Sequence, residues 1–103
     1  MIGFDPGRAE GITGGRRVIE LVEEAGVWFN AHAWSSAIVS AASLALSLTT
    51  PRVLVFELKP EESPMQHELV DTPIEATAGF VEALGGPGLG VEVRENVVEA
   101  YRF

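Results

Sequence analysis

Cysteine is absent from the 103-residue sequence. Disulfide frameworks, thiolate nucleophiles and Cys-bound zinc or iron–sulfur sites are therefore excluded. Positive charge is also scarce, because 7 Lys and Arg residues stand against 15 Asp and Glu residues, which gives a formal net charge of −8. Since the few cations do not cluster, we expect no binding to nucleic acid and none to an anionic membrane surface.

Long apolar runs and targeting signals are missing as well. The most apolar stretch, residues 31–48, contains His32 and several serines, so it predicts a buried helix rather than a membrane span. No basic region followed by an apolar segment comes after Met1, and we therefore expect a cytoplasmic protein. The composition, 47% hydrophobic and 21% charged, is typical of one globular domain or part of one.

Apolar periodicity in the first half of the chain predicts strands that alternate with helices. Because the strand runs are continuously apolar, they are typical of a parallel sheet buried on both faces. The sequence therefore predicts the α/β class, with the order βαβαβ. The predicted elements are a strand at 1–4, a helix capped by Thr13 and ended by Gly26, a strand at 27–29, a helix from Ser35 or Ser36 to Leu48, and a strand at 52–56.

The second half of the chain has a different character. We predict an acidic, turn-rich loop at 59–64, a short strand at 80–82, a turn at 86–90 and a terminal helix at 94–101. We divide the chain into residues 1–70, with the parallel strands, and a tail of residues 71–103. Three parallel strands leave two unpaired sheet edges, so we expect the chain to be a piece of a larger closed sheet.

Three ionisable residues follow the three predicted strands. Asp5, His32 and Glu57 each come just after a strand, and the carboxyl ends of parallel strands meet at one edge of a sheet. A histidine whose one ring nitrogen is held by Asp5 would offer the other nitrogen as a general base, with Glu57 as a further acid or hydrogen-bond partner. Each residue also has a structural alternative: Asp5 as a turn former, His32 as a satisfied structural histidine, and Glu57 as the partner of a nearby cation.

Two further sequence patterns bear on possible binding sites. The glycine-rich segment 11–15 precedes a helix but lacks the lysine of a phosphate-binding loop, so we favour close packing of the helix over an anion site. No cluster of His and carboxylate residues has metal-ligand spacing within this chain.

Several motifs together resemble the mandelate racemase and muconate-lactonizing branch of the enolase superfamily, especially its acid-sugar dehydratases. The resemblance covers essentially the whole chain, but only about the last quarter of such an enzyme. The segments that carry it are Asp5-Pro6-Gly7-Arg8, Gly11-Ile12-Thr13, Asn30-Ala31-His32-Ala33-Trp34, Val55-Phe56-Glu57 and Gly86-Pro87-Gly88-Leu89-Gly90-Val91.

The resemblance implies a modified (β/α) barrel of the TIM type, in which this chain supplies the last three strands and its tail packs on a capping domain. In this family a bound Mg²⁺ ion and general bases abstract the proton α to a substrate carboxylate. By position, His32 is similar to the base or acid, Asp5 to its dyad partner and Glu57 to the hydrogen-bonding acid. The family's metal ligands belong to earlier strands, so we expect none here and an inactive isolated chain.

The resemblance also implies partners. We expect an acid-sugar or other carboxylate substrate, and either a homo-oligomer or association with the N-terminal portion of the enzyme. Dehydration is favoured over racemisation, because a His–Asp dyad can protonate a departing hydroxyl as well as move an α-proton. The alternative function is a non-catalytic α/β module that pairs with itself or a partner through its strand edges.

Overall fold

The computed structural model describes residues 1–102, which form four helices and two small sheets. None of the helices in this range has the length and apolar character needed to cross a bilayer. The elements are β1 (Ile2–Phe4), α1 (Gly11–Glu24), β2 (Phe29–Ala31), α2 (Ala37–Ser47), α3 (Pro64–His67), β3 (Ala76–Thr77), β4 (Phe80–Val81) and α4 (Glu95–Ala100).

The parallel sheet predicted for the first half is present, but it is shorter than expected. Strands β1 and β2 pair in parallel, with Phe4 opposite Ala31. The predicted third strand, 52–56, is reduced to one parallel bridge between Val53 and Phe29. Its next two residues, Leu54 and Val55, are 59% and 56% exposed, so the expectation of a buried strand is wrong. Because Leu54 and Val55 are not covered by the described residues, burial of their side chains does not stabilise a longer ladder.

Strand β2 begins two residues later than its aromatic run predicted. The backbone N–H of Val27 donates to the Val22 carbonyl, and the N–H of Gly26 donates to the Glu23 carbonyl. These two bonds, with Gly26 at φ +65°, close the end of α1. Gly26 is thus confirmed as the helix stop. Because the Val27 N–H is already used there, the ladder begins further along the chain.

Helix α1 begins earlier than Thr13, so the predicted cap at that residue is wrong. The N–H of Gly14 donates to the carbonyl of Glu10, which forms the first turn upstream of Thr13. Glu10 occupies the capping position in a left-handed conformation, and its side chain makes no capping hydrogen bond.

The glycines of α1 allow two helices and a strand to approach closely. A Cβ atom at Gly15 would lie 2.5 Å from Leu46 Cδ1 and 2.9 Å from Phe4 Cε1. A side chain there would displace Leu46 or Phe4, so close packing of the helix is confirmed at Gly15, whereas a Cβ at Gly11 would meet nothing within 4 Å.

Helix α2 is capped by Ser36, one of the two serines predicted for this role. Its Oγ accepts a hydrogen bond of 3.3 Å from the N–H of Val39. Three serines within the helix are buried. Ser40 Oγ donates to the Ala33 carbonyl and Ser47 Oγ donates to the Ser43 carbonyl, whereas Ser43 Oγ has no hydrogen-bond partner within the described residues. A helix with so many apolar residues is thus covered on several sides with two of its three buried hydroxyl groups hydrogen-bonded.

Two separate cores hold the described chain together. The first joins β1, β2, α1 and α2, and its buried members are Phe4, Ile19, Val22, Phe29, Ala31 and Leu46. The second joins the start of α2 to the tail, with Ala37, Leu69, Val70 and Val97 buried. Backbone bonds support it, since the N–H of Arg94 donates to the Leu69 carbonyl.

The second half contains two elements that the sequence did not predict, α3 and β3, and two that it did. Helix α3 begins at Pro64, the last residue of the expected loop 59–64, and a proline at the start of a helix favours its initiation. The strand predicted at 80–82 is confirmed as β4, which pairs antiparallel with β3. Ala78 and Gly79, both with positive φ, form the connecting two-residue turn. The terminal helix predicted at 94–101 is confirmed as α4.

Candidate active site

The candidate site lies at the carboxyl ends of β1 and β2. Beyond the last paired residues, the backbone N–H of His32 donates to the carbonyl of Phe4 at 2.9 Å. This bond continues the parallel ladder past Ala31. The backbone of Asp5, the residue after Phe4, therefore lies beside that of His32. Two of the three residues predicted for the site therefore leave neighbouring strands at the same edge.

Alternation along β2 separates core side chains from site side chains. Phe29 and Ala31 are 0% and 1% exposed and belong to the core under the helices. Because successive strand residues point to opposite faces, Asn30 and His32 share the other face of the sheet. The strand is thus anchored by one face and presents polar groups on the other.

Glu57 bridges the two polar residues of β2. Its Oε2 lies 2.7 Å from His32 Nδ1, and its Oε1 accepts a 2.5 Å hydrogen bond from Asn30 Nδ2. Asn30 is 5% exposed, whereas the side chains of His32 and Glu57 are 54% and 34% exposed. The bridge therefore runs from a buried amide to an imidazole that solvent and a substrate can reach.

The electrostatics of the bridge favour the ionised carboxylate. The hydrogen bond from His32, followed by that from Asn30, lowers the pKa of Glu57, and partial burial opposes this shift only in part. An ionised carboxylate can only accept hydrogen bonds, so the proton between the two groups belongs to His32 Nδ1. In the neutral ring Nε2 then carries the lone pair and is the basic atom.

Trp34 lies against the imidazole. The ring centroids of His32 and Trp34 are 4.8 Å apart and the planes are tilted by 46°. An aromatic ring at this distance limits the rotation of the imidazole and covers part of one of its faces. The orientation of His32 is thus defined by Glu57 at Nδ1 and by Trp34 at the ring.

Asp5 is engaged in the turn that follows β1. Its Oδ1 accepts a hydrogen bond from the N–H of Gly7 at 2.8 Å, and its Oδ2 lies 3.6 Å from Arg8 Nε. Within residues 1–102 no hydrogen bond or ion pair joins Asp5 to His32. The sequence predicted that Asp5 holds one ring nitrogen of His32, whereas in the structure the described partner of Nδ1 is Glu57.

Asn30 is a site residue to which the sequence reasoning gave no role. The signal was present, because an asparagine between Phe29 and Ala31 puts a carboxamide into an otherwise apolar parallel strand. Burial of such a group is unfavourable unless it is hydrogen-bonded. Its spacing of two residues from His32 also places both side chains on one face.

The described residues do not fit the Mg²⁺ ion that the resemblance implies. In the range 1–102 no three or more His, Asp or Glu side chains are grouped so as to hold a metal ion. Of the three side chains at the bridge, Asn30 and His32 already use a nitrogen atom each to contact Glu57.

The chain matches a known protein family and a known enzyme. Residues 1–97 match the family model described as enolase C-terminal domain-like. The chain is 32% identical over 93 residues to the D-gluconate dehydratase of Thermoproteus tenax, and the match covers 89% of this chain and 19% of that protein.

Solved structures give the same result. A mandelate racemase/muconate lactonizing enzyme from Jannaschia sp. CCS1 is 30% identical, with a TM-score of 0.83 over 94% of this chain and 25% of that one. Another from a Sulfitobacter species is 26% identical, with a TM-score of 0.85 over 96% of this chain and 24% of that one. The chain thus spans a quarter or less of the length of these relatives. By its family match and these likenesses, it belongs to the enolase C-terminal domain-like family of the enolase superfamily.

Proposed function

We propose that this chain is the C-terminal part of an enzyme that abstracts the proton α to a carboxylate, as an acid-sugar dehydratase or a mandelate racemase-like isomerase. The observation that carries the proposal is the His32–Glu57 contact at the carboxyl end of β2, with Nε2 left as the basic atom. General-base catalysis requires such an imidazole, oriented and accessible to substrate.

Each residue has a role in the proposal. His32 takes the α-proton at Nε2 and can return it to the same carbon or to a departing hydroxyl. Glu57 holds the ring through Nδ1 and stabilises the imidazolium that forms. Asp5, at the end of the neighbouring strand, is the second carboxylate of the site and the dyad partner that the resemblance assigns.

Dehydration is the reaction favoured. It removes the α-hydrogen and a β-hydroxyl as water, and one imidazole can serve both steps because it gains a proton in the first. The D-gluconate dehydratase among the relatives supports this choice. A small carboxylate such as an aldonic or aldaric acid is the proposed substrate.

The rest of the enzyme supplies what these residues lack. We propose that residues 1–70 form the last three strands of a TIM-type barrel and that 71–103 form a tail toward a capping domain. The exposed apolar residues Ile2, Leu54 and Val55 support an association along the strand edges, with the remaining barrel or with a second copy of this chain.

The isolated chain should be inactive, because a developing enediolate needs a cation to offset its charge. We expect this chain to bind Mg²⁺ no more tightly than a generic acidic surface does, and to turn over no acid sugar. Isothermal titration with MgCl₂ checks the first point. A single tight site would contradict the assignment of the metal ligands to the rest of the enzyme.

Reconstitution tests the activity. The chain is mixed or co-expressed with the N-terminal portion of a related dehydratase, and ²H exchange at the α-carbon of aldonic acids is followed by NMR. His32→Asn should reduce exchange about 10²–10⁴-fold, the typical contribution of a general base. His67→Asn, which changes the second histidine of the chain, is the matched control and should leave exchange unchanged. Equal exchange in the wild type and His32→Asn would reject the proposal.

A second function is favoured by the exposed apolar edge at Leu54 and Val55. A non-catalytic module could use this edge to pair with itself or with a partner. Self-association is expected under both proposals and does not separate them. Recovery of α-hydrogen exchange on reconstitution supports the enzyme, whereas a stable complex without exchange supports the module.

A further inference from the structure

Asn30 carries a polar side chain in the buried middle of a strand. It is the central residue of β2, opposite Gly3 in the ladder, and is 5% exposed. Burying an amide in this way is unfavourable unless the amide is hydrogen-bonded. The hydrogen bond from Nδ2 to Glu57 offsets that cost.

The amide is held by the carboxylate and by no other described group. Within residues 1–102, Asn30 Oδ1 is buried and has no hydrogen-bond partner. The orientation of the carboxamide therefore depends on the contact of Nδ2 with Glu57. A polar residue kept only for the stability of the strand would be expected to satisfy both of its atoms.

Glu57, in turn, has little other support. Its segment pairs with β2 only at Val53, four residues earlier, and has no regular structure where Glu57 lies. Asn30, by contrast, lies on a strand whose neighbouring side chains are fully buried. The hydrogen bond thus connects a backbone segment without regular structure to a well-buried strand, and the carboxylate that contacts His32 is the group it orients.

We propose that Asn30 is a positioning residue: through Glu57 it fixes the imidazole of His32 in the tautomer with the proton on Nδ1 and the lone pair on Nε2. Asn30 Nδ2 holds Oε1, which leaves Oε2 directed at His32 Nδ1. The use of that tautomer in catalysis rests on the proposed function, but the tautomer itself does not.

The experiment is NMR on the full chain with ¹⁵N-labelled histidine and ¹³C-labelled glutamate side chains. Two-bond ¹H–¹⁵N correlations report which nitrogen of His32 carries the proton, and the Glu57 Cδ shift reports its titration. In Asn30→Ala we expect a smaller share of the Nδ1–H tautomer and a Glu57 titration midpoint at higher pH. His67, the other histidine, is the internal reference and should keep its spectrum.

Two further variants make the test decisive. Gln66→Ala, the matched control, removes another buried amide, one that accepts a bond from Ser40 Oγ, and should change neither readout. Asn30→Leu keeps the approximate shape of the side chain and removes the donor, so it should reproduce the change even if Asn30→Ala does not fold.

The outcomes separate this inference from the proposed function. An unchanged His32 tautomer and Glu57 midpoint in Asn30→Ala or Asn30→Leu would overturn it, as would the same changes in Gln66→Ala. Because the readouts require no turnover, a failed reconstitution would reject the enzyme and leave the positioning role to be decided by these spectra.

Discussion

The two halves of the chain differ in how completely they bury their own apolar side chains. In the first half Phe29, Ala31 and Leu46 are at most 1% exposed. In the second half three buried residues, Leu69, Val70 and Val97, form a small core against Ala37 of α2, while Phe80 of the hairpin is 76% exposed. The candidate site lies on β2, the strand with the best-buried neighbours. Side chains on such a rigid element are held in place more accurately than side chains on a loop.

Removing the centre of the first core should have the largest effect. Phe29→Ala deletes a fully buried ring and should destabilise the chain by about 3–5 kcal/mol. Phe80→Ala makes the same chemical change on the exposed hairpin and should stay within about 0.5 kcal/mol. Urea unfolding followed by circular dichroism measures both. Similar losses in the two variants would contradict the contrast between the halves.

Overpacking should give the next largest effect. A side chain at Gly15 would collide with Leu46 and Phe4, so Gly15→Val should cost about 1–3 kcal/mol. At Gly85 an added Cβ would meet nothing within 4 Å. Gly85→Val is therefore the control, with an expected change within about 0.5 kcal/mol. A Gly15 variant that unfolds at the wild-type urea midpoint would show that the helices do not need this close approach.

Much of the fold could be predicted from local sequence. Gly26 as a helix stop, Ser36 as a cap and the order of elements in the first half depend on short-range chemistry, which the sequence displays directly. The third strand was predicted wrongly, because Val53 pairs with β2 while Leu54 and Val55 find no partner within the described residues. The apolar content of a segment does not by itself tell whether other segments of the same chain cover it.

The candidate site was predictable in its position but not in its contacts. The rule that parallel strands end at one edge correctly brought His32 and Glu57 together. It could not decide between two carboxylates for His32 Nδ1, because that choice depends on side-chain rotation after the strand ends. Asp5 turns back to the N–H of Gly7, a local bond that a proline and a glycine after it favour.

Removing the N-terminal cap of α2 should moderately weaken the contact between the two halves of the chain. Ser36→Ala removes the acceptor for the Val39 N–H, and its cost should be about 1 kcal/mol. Because Ala37 belongs to the second core, fraying of this end should loosen the tail before the parallel strands. Hydrogen exchange by mass spectrometry, with Ser35→Ala as control, measures this. Equal loss of protection in β2 and at Val70 would contradict local fraying.

The smallest expected effect is the pH dependence that Glu57 contributes. Because its pKa is lowered below the ordinary 4.5 in the folded chain, its stabilisation is fully present above that pH and is lost as pH falls through the folded value. The contribution should be below about 1 kcal/mol, since solvent screens this partly exposed pair. The difference in unfolding free energy between wild type and Glu57→Gln should therefore shrink below pH 4.5.

The same titration can rank the two contacts of Glu57. The hydrogen bond from His32 is the larger cause of the lowered pKa and that from Asn30 the smaller. His32→Asn should thus flatten the acid dependence more than Asn30→Ala does, and Gln66→Ala should leave it unchanged. If Glu57→Gln and wild type lose stability in parallel on acidification, the carboxylate is not held by the strand. The well-packed half of the chain would then orient its own backbone but not the group that contacts the imidazole.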